Sequence, residues 1–144
     1  MTTSETPQSP RVMLVALTPD AREALAGAEI EITSLPFRVG RESRSMTRLR
    51  QEISLERRTS GDKPNNDLYL VEQAEFLNVS RAHFLIERRA AGYVLVDRES
   101  TCGTIVEGET VGGEHKGGTV ALHDGDVIIV GTSLSPYVFK FRVR

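Results

Sequence analysis

Nine short runs rich in Val, Ile, Leu, Phe and Tyr recur along this chain, at residues 12–17, 29–33, 37–40, 68–71, 84–87, 93–96, 104–106, 127–130 and 137–143. Their length and their β-branched and aromatic content predict strands. The last run includes Phe139-Lys140-Phe141-Arg142-Val143, whose strict alternation is the period of a strand with one face in a core and the other in water. Turn pairs carrying glycine fall between the runs, at Ala91-Gly92, Gly112-Gly113, Gly117-Gly118 and Asp124-Gly125. Many short strands at this spacing, with little helix, favour an all-β sandwich or barrel.

Two stretches depart from the pattern. Residues 43–58 place Met46, Leu49 and Ile53 at helical spacing with charges between them, which predicts a short amphipathic helix, and residues 59–66 follow as a polar Gly/Pro/Asn loop. Residues 19–26 are short and Ala-rich, and read equally as a helix or as a loop joining the first two strands. At the start, residues 1–10 carry Ser/Thr hydroxyls and two prolines and little that a core could bury, so a disordered tail is expected there. The expected organisation is therefore a tail at 1–10 and one domain at 11–144, interrupted by an inserted loop at 42–64.

Composition narrows the function. A length of 144 residues suits one domain with a real core, needing neither disulfides nor a metal staple. The net charge of -2 gives no global attraction to nucleic acid or to an anionic membrane, and an aromatic content of 6% supplies few stacking platforms for bases. The single Cys102 excludes an internal disulfide. No run reaches the roughly 20 apolar residues of a membrane span, and the polar first ten residues do not read as a signal peptide. The expected compartment is reducing, soluble and cytoplasmic, with neither nucleic acid nor membrane as partner.

Any electrostatic function must then be local, and three short segments offer one. A phosphate site on a β-scaffold needs a fixed guanidinium, hydroxyl donors from other loops, and backbone amides that point at the anion. Gly40-Arg41 ends a strand run: Gly40 allows close backbone approach, and Arg41 can fork two donors onto phosphate oxygens. Ser80 and Arg81 lie on a second loop, and Thr101 on a third, between Asp97, whose short side chain can cap a turn, and Gly103, which tolerates positive φ.

The ordered set Gly40-Arg41, Ser80-x-x-His83, Asp97-x-x-Ser100-Thr101-Cys102-Gly103-Thr104, Asp124-Gly125-Asp126 and Gly131 resembles the forkhead-associated (FHA) domain. The resemblance runs from about Leu35 to Val143, and it is the joint order and spacing that makes it specific. It implies an eleven-stranded β-sandwich of the FHA/SMAD-like kind, with neither catalysis nor cofactor, whose loops at one end bind phosphothreonine peptides. Arg41, Ser80 and Thr101 match the phosphate-contacting positions, and Arg81 matches a position that helps hold the phosphopeptide. Gly40, His83 and Gly103 match residues that support loop geometry, and Ser100 reads as a hydroxyl that stabilises its turn. The implied partner is a phosphothreonine-containing protein, a substrate of a Ser/Thr kinase, and the implied role is signalling.

This chain departs from the family pattern at two places. Cys102 stands where the family usually has an Asn that holds the ligand backbone, and a thiol is a poor hydrogen-bond partner. The loop after Arg41 is also long, with six basic residues (Arg44, Arg48, Arg50, Arg57, Arg58, Lys63) against four acidic ones (Glu42, Glu52, Glu56, Asp62). The alternative function these departures leave is a phosphate-independent scaffold of the same fold. Ser80, His83 and Asp97 are the residue types of a hydrolase triad, but no nucleophile frame surrounds Ser80. His115 and His123 stand eight positions apart in Gly-rich turns without a matching acidic or thiol pair, so no metal site is expected.

Overall fold

The computed structural model describes residues 10–42, 66–71 and 78–144. The expected tail up to residue 9, the expected helix at 43–58 and the polar loop as far as residue 65 lie outside the described residues. Among the described residues, eleven strands form two sheets. Strands β1 (Val12–Ala16), β2 (Glu29–Ile32), β7 (Thr104–Val106), β8 (Glu109–Val111), β10 (Val127–Val130) and β11 (Val138–Val143) make one, in the order β2-β1-β11-β10-β7-β8. Strands β3 (Phe37–Arg41), β4 (Leu68–Leu70), β5 (Phe84–Arg89), β6 (Gly92–Asp97) and β9 (Gly118–Leu122) make the other, in the order β4-β3-β5-β6-β9. This is the all-β sandwich that the resemblance implied, and one of the two architectures that the strand pattern favoured.

The core lies between the sheets and follows the alternation of the strands. Phe139 and Phe141 on β11 point inward while Lys140 between them is only half-buried. Leu14, Val39, Phe84, Ile86, Leu95 and Ile128 join the two phenylalanines with no exposed surface. With no tryptophan in the chain, Phe84, Phe139 and Phe141 supply most of the aromatic area in this core. Truncating one of them costs about 3 to 5 kcal/mol.

Three local readings needed the folded chain to settle or correct them. Residues 19–26, open between helix and loop, form α1 (Pro19–Leu25): Thr18 caps it by accepting the Ala21 N–H, Pro19 opens it, and Ala26 closes it in the left-handed region at φ 56°. The Gly117-Gly118 pair, expected to be a turn, instead puts Gly118 at the first position of β9. Strand β9 pairs with β6 from Tyr93↔Leu122 to Asp97↔Gly118, so pairing overrides a weak local preference. Strand β8 is another that the sequence pattern passed over; its short Glu-Thr-Val segment pairs with β7 from Thr104↔Val111 to Val106↔Glu109.

The registers bring one set of ends together. Val39 pairs with Phe84, Phe84 with Asp97, Asp97 with Gly118, and Thr104 with both Val111 and Val130. The C-terminal ends of β3, β6, β8 and β10 therefore meet the N-terminal ends of β5, β7 and β9. The loop before β5, the β6–β7 loop and the β8–β9 loop share this end with Arg41.

Candidate functional site

Arg41, the last residue of β3, is tied to the loop before β5 twice over. Its backbone N–H donates to the Ser80 carbonyl at 2.8 Å and its Nε donates to the Val79 carbonyl at 2.9 Å. The second bond fixes the plane of the guanidinium, which is what a bidentate contact with an oxyanion requires. Ser80 in turn reaches the β6–β7 loop, where its Oγ accepts the Thr101 N–H at 3.0 Å. A hydroxyl that accepts one bond can still donate its own hydrogen, so Ser80 is suited to hold a loop and an anion together.

Under these loops lies His83, fully buried. Its Nδ1 accepts the Ser80 N–H at 2.9 Å, so the ring proton sits on Nε2, which donates to the Gly103 carbonyl at 2.7 Å. One neutral imidazole thus joins the loop carrying Ser80 to the loop carrying Thr101. The β6–β7 loop has a second anchor in Asp97, also buried. The Asp97 carboxylate accepts the Ser100 N–H at 2.8 Å, the Ser100 hydroxyl at 2.7 Å and the Thr104 hydroxyl at 3.3 Å, and Ser100 Oγ accepts the Gly103 N–H at 3.0 Å. Gly103 closes the turn at φ 81°, a conformation that side chains rarely adopt. In this geometry Ser80, His83 and Asp97 form no nucleophile relay, because His83 meets the amide of Ser80 and Asp97 serves Ser100 and Thr104.

Gly40 is needed for space. A Cβ there would lie 2.0 Å from the Arg81 carbonyl oxygen and 2.6 Å from Asn66 Nδ2. That carbonyl accepts the Asn66 Nδ2–H at 2.7 Å, and Asn66 Oδ1 accepts from Arg98 at 2.7 Å. Asn66 and Arg98, to which no role falls from the sequence, thus brace the Arg81 backbone from below while the Arg81 side chain is exposed. Thr101 is exposed and Cys102 half-buried beside it. His115, read in the sequence only as an unsuitable metal ligand, comes to this loop as well: its Nε2 lies 3.5 Å from Thr101 Oγ1. Spacing alone did not signal this, because β8 and β9 had to form first.

Beside Gly40 the chain re-enters the sheet through Arg38 and Asp67. Arg38 donates to the Asp67 carboxylate from its backbone N–H at 2.8 Å, from Nε at 3.1 Å and from Nη2 at 3.3 Å. Burial pushes the Asp67 carboxyl up, but the side-chain and backbone hydrogen bonds from Arg38, with its charge, outweigh burial and hold it below the usual carboxylate value. A carboxyl depressed in the folded state stabilises the fold above its unfolded pKa and stops doing so as pH falls through its folded one. Asp67→Asn should therefore lower Tm most near neutral pH, and the gap from the parent should close below about pH 4. With the pair partly in solvent the loss stays under about 1 kcal/mol. Thermal melts across pH 3 to 7 check the sign.

The β-sandwich thus gathers a fixed guanidinium, two hydroxyls and a buried brace at one loop end. The FHA domain family matches residues 37–131, from β3 through the end of β10. The chain belongs to that family. Solved structures of the same fold include the kinase-interacting FHA domain of the kinase associated protein phosphatase of Arabidopsis, at 24% identity and TM-score 0.59 over 94% of each chain. Mycobacterium tuberculosis EmbR in complex with a low affinity phosphopeptide aligns at 22% identity and TM-score 0.55, over 92% of this chain and 24% of that one. An FHA domain solved in work on phosphothreonine-dependent FHA domain interactions aligns at 20% identity and TM-score 0.54, over 93% of this chain and 97% of that one. This chain spans about a quarter of EmbR and nearly all of the other two. No curated protein sequence matches it. Among the described residues, no helix is long and apolar enough to cross a membrane.

Proposed function

We propose that residues 11–144 act as a phosphothreonine-dependent docking module for a protein partner marked by a Ser/Thr kinase. The observation that carries this reading is the hydrogen-bonded chain from Arg41 through Ser80 to Thr101, which ties together the three elements that carry a guanidinium and two hydroxyls. Arg41 neutralises the phosphate, Ser80 and Thr101 donate hydroxyls, and the exposed Arg81 orients the peptide. The phosphopeptide in the EmbR complex and the phosphothreonine dependence of the other FHA domain support the same ligand chemistry. Preference for threonine over serine rests on the threonine methyl: burying one yields about 0.8 kcal/mol, roughly fourfold, so sharper discrimination needs steric exclusion too.

Cys102 follows Thr101 in the chain and is half-buried. Cys102→Asn should tighten phosphopeptide binding by about 0.5 to 1.5 kcal/mol, the worth of one neutral hydrogen bond to the ligand backbone. Affinity for inorganic phosphate should stay unchanged, because Asn adds no charge. Calorimetry with both ligands checks it, and equal or weaker peptide binding means this chain grips the backbone by other atoms. The phosphothreonine reading itself is tested by capture from a phosphothreonine peptide library beside its unphosphorylated twin. Equal capture of both would favour a phosphate-independent scaffold.

A further inference from the structure

The β8–β9 loop takes a costly shape in order to reach Thr101. Glu114 and His115 both sit in the left-handed region, at φ 52° and 61°, in a loop whose other members include Gly112, Gly113 and Gly117. Side chains are retained at two consecutive positions where glycine is the unstrained choice. The loop is held there by the β6–β7 loop: Glu114 N–H donates to the Thr101 carbonyl at 2.8 Å and His115 N–H to the Ser100 carbonyl at 3.0 Å. Strain sustained by surrounding bonds at a binding site points to a use for the side chain it presents.

That side chain is held by a directional contact. His115 Nδ1 lies 3.1 Å from the Glu99 carbonyl oxygen, which can only accept, so Nδ1 carries a proton. In the neutral ring Nε2 is then an acceptor, and the hydroxyl it meets, Thr101 Oγ1 at 3.5 Å, turns its hydrogen toward the imidazole. In the imidazolium Nε2 also donates. Thr101 Oγ1 then accepts, and its hydrogen turns away from His115.

We propose that His115 is a positioning residue of the phosphate site, which takes up a proton when a phosphothreonine peptide binds and thereby turns the Thr101 hydroxyl onto the phosphate. The inference rests on the phosphate-binding reading above. Charged residues of both signs stand on the two loops. Glu99 stands on the β6–β7 loop, and Glu114 and Lys116 stand beside His115 on its own loop. A bound dianion next to the ring shifts the balance toward the imidazolium. Neither other histidine is placed to do this: His83 bonds backbone through both nitrogens, and His123 follows the far end of β9.

The test is calorimetry of the whole chain with one phosphothreonine peptide at pH 7, in buffers of different ionisation enthalpy. The parent should take up protons on binding; the ligand's own second ionisation, near pH 6, contributes the opposite sign. His115→Asn, an amide that suits the left-handed backbone and cannot titrate, should abolish the uptake. It should also weaken binding about tenfold at pH 6.5 and much less at pH 8.5, and His123→Gln should change neither. Uptake of the same size in the parent and in His115→Asn would overturn the role of His115 alone. No binding by the parent at any pH would remove the phosphate-binding reading, and this inference with it.

Discussion

Arg41→Ala should abolish measurable binding of a phosphothreonine peptide and leave the domain folded. The substitution removes a guanidinium at a loop edge and takes from the fold the Nε contact with the Val79 carbonyl. Losing that neutral-acceptor bond costs about 1 kcal/mol, which corresponds to a Tm lower by about 2 to 4 °C. On the binding side, a hydrogen bond to a charged group is worth about 1.5 to 3 kcal/mol, roughly ten- to a hundredfold in affinity. A fork that makes two such bonds loses more. Arg41→Lys separates charge from geometry: it keeps the cation, loses the fork, and should bind between parent and alanine variant. Unchanged affinity in Arg41→Ala would remove Arg41 from the site.

The largest effect on stability is expected at His83. His83→Leu keeps most of the volume of a fully buried side chain but leaves the Ser80 N–H and the Gly103 carbonyl without their imidazole partners. Each unpaired buried group costs about 1 to 3 kcal/mol, together about 2 to 6, against a typical total of 5 to 15. Urea unfolding should show the midpoint falling sharply with little change in slope. Phosphopeptide binding should weaken even where the protein remains folded, because the two loops lose their common brace. A midpoint within about 0.5 kcal/mol of the parent, the range of an ordinary surface change, would mean that the loops are held by other contacts.

The strand pattern carried most of the fold. Alternation in β11 and the dense apolar runs of β3, β5, β6 and β10 are strong local signals, and all appear as strands facing one core. What the pattern passed over was weak locally and strong only in pairing: β8 is three residues long, and β9 opens on a glycine. The site was legible where chemistry and backbone geometry coincide in one short motif. Gly40-Arg41, Ser80-x-x-His83 and Ser100-Thr101-Cys102-Gly103 each hold a donor next to the residue that shapes its loop, and the folded chain brings these segments to one end. Asn66, Arg98 and His115 sit close to the same loops, yet the sequence assigned them no role there. Asn66 acts through a carbonyl that is far from it in sequence, and His115 depends on a loop whose flanking strands were themselves missed. Long-range partners of this kind become visible only once register is known.

Phosphothreonine dependence is measured by the binding of one peptide in two states. A fluorescently labelled threonine peptide selected from a library, and its phosphorylated twin, are titrated with the whole chain, and phosphatase is then added to the bound sample. The account predicts saturable binding of the phosphorylated peptide alone, weakened by salt, competed by excess phosphopeptide and lost on dephosphorylation. Equal affinity for the two peptides, unchanged by phosphatase, would contradict it.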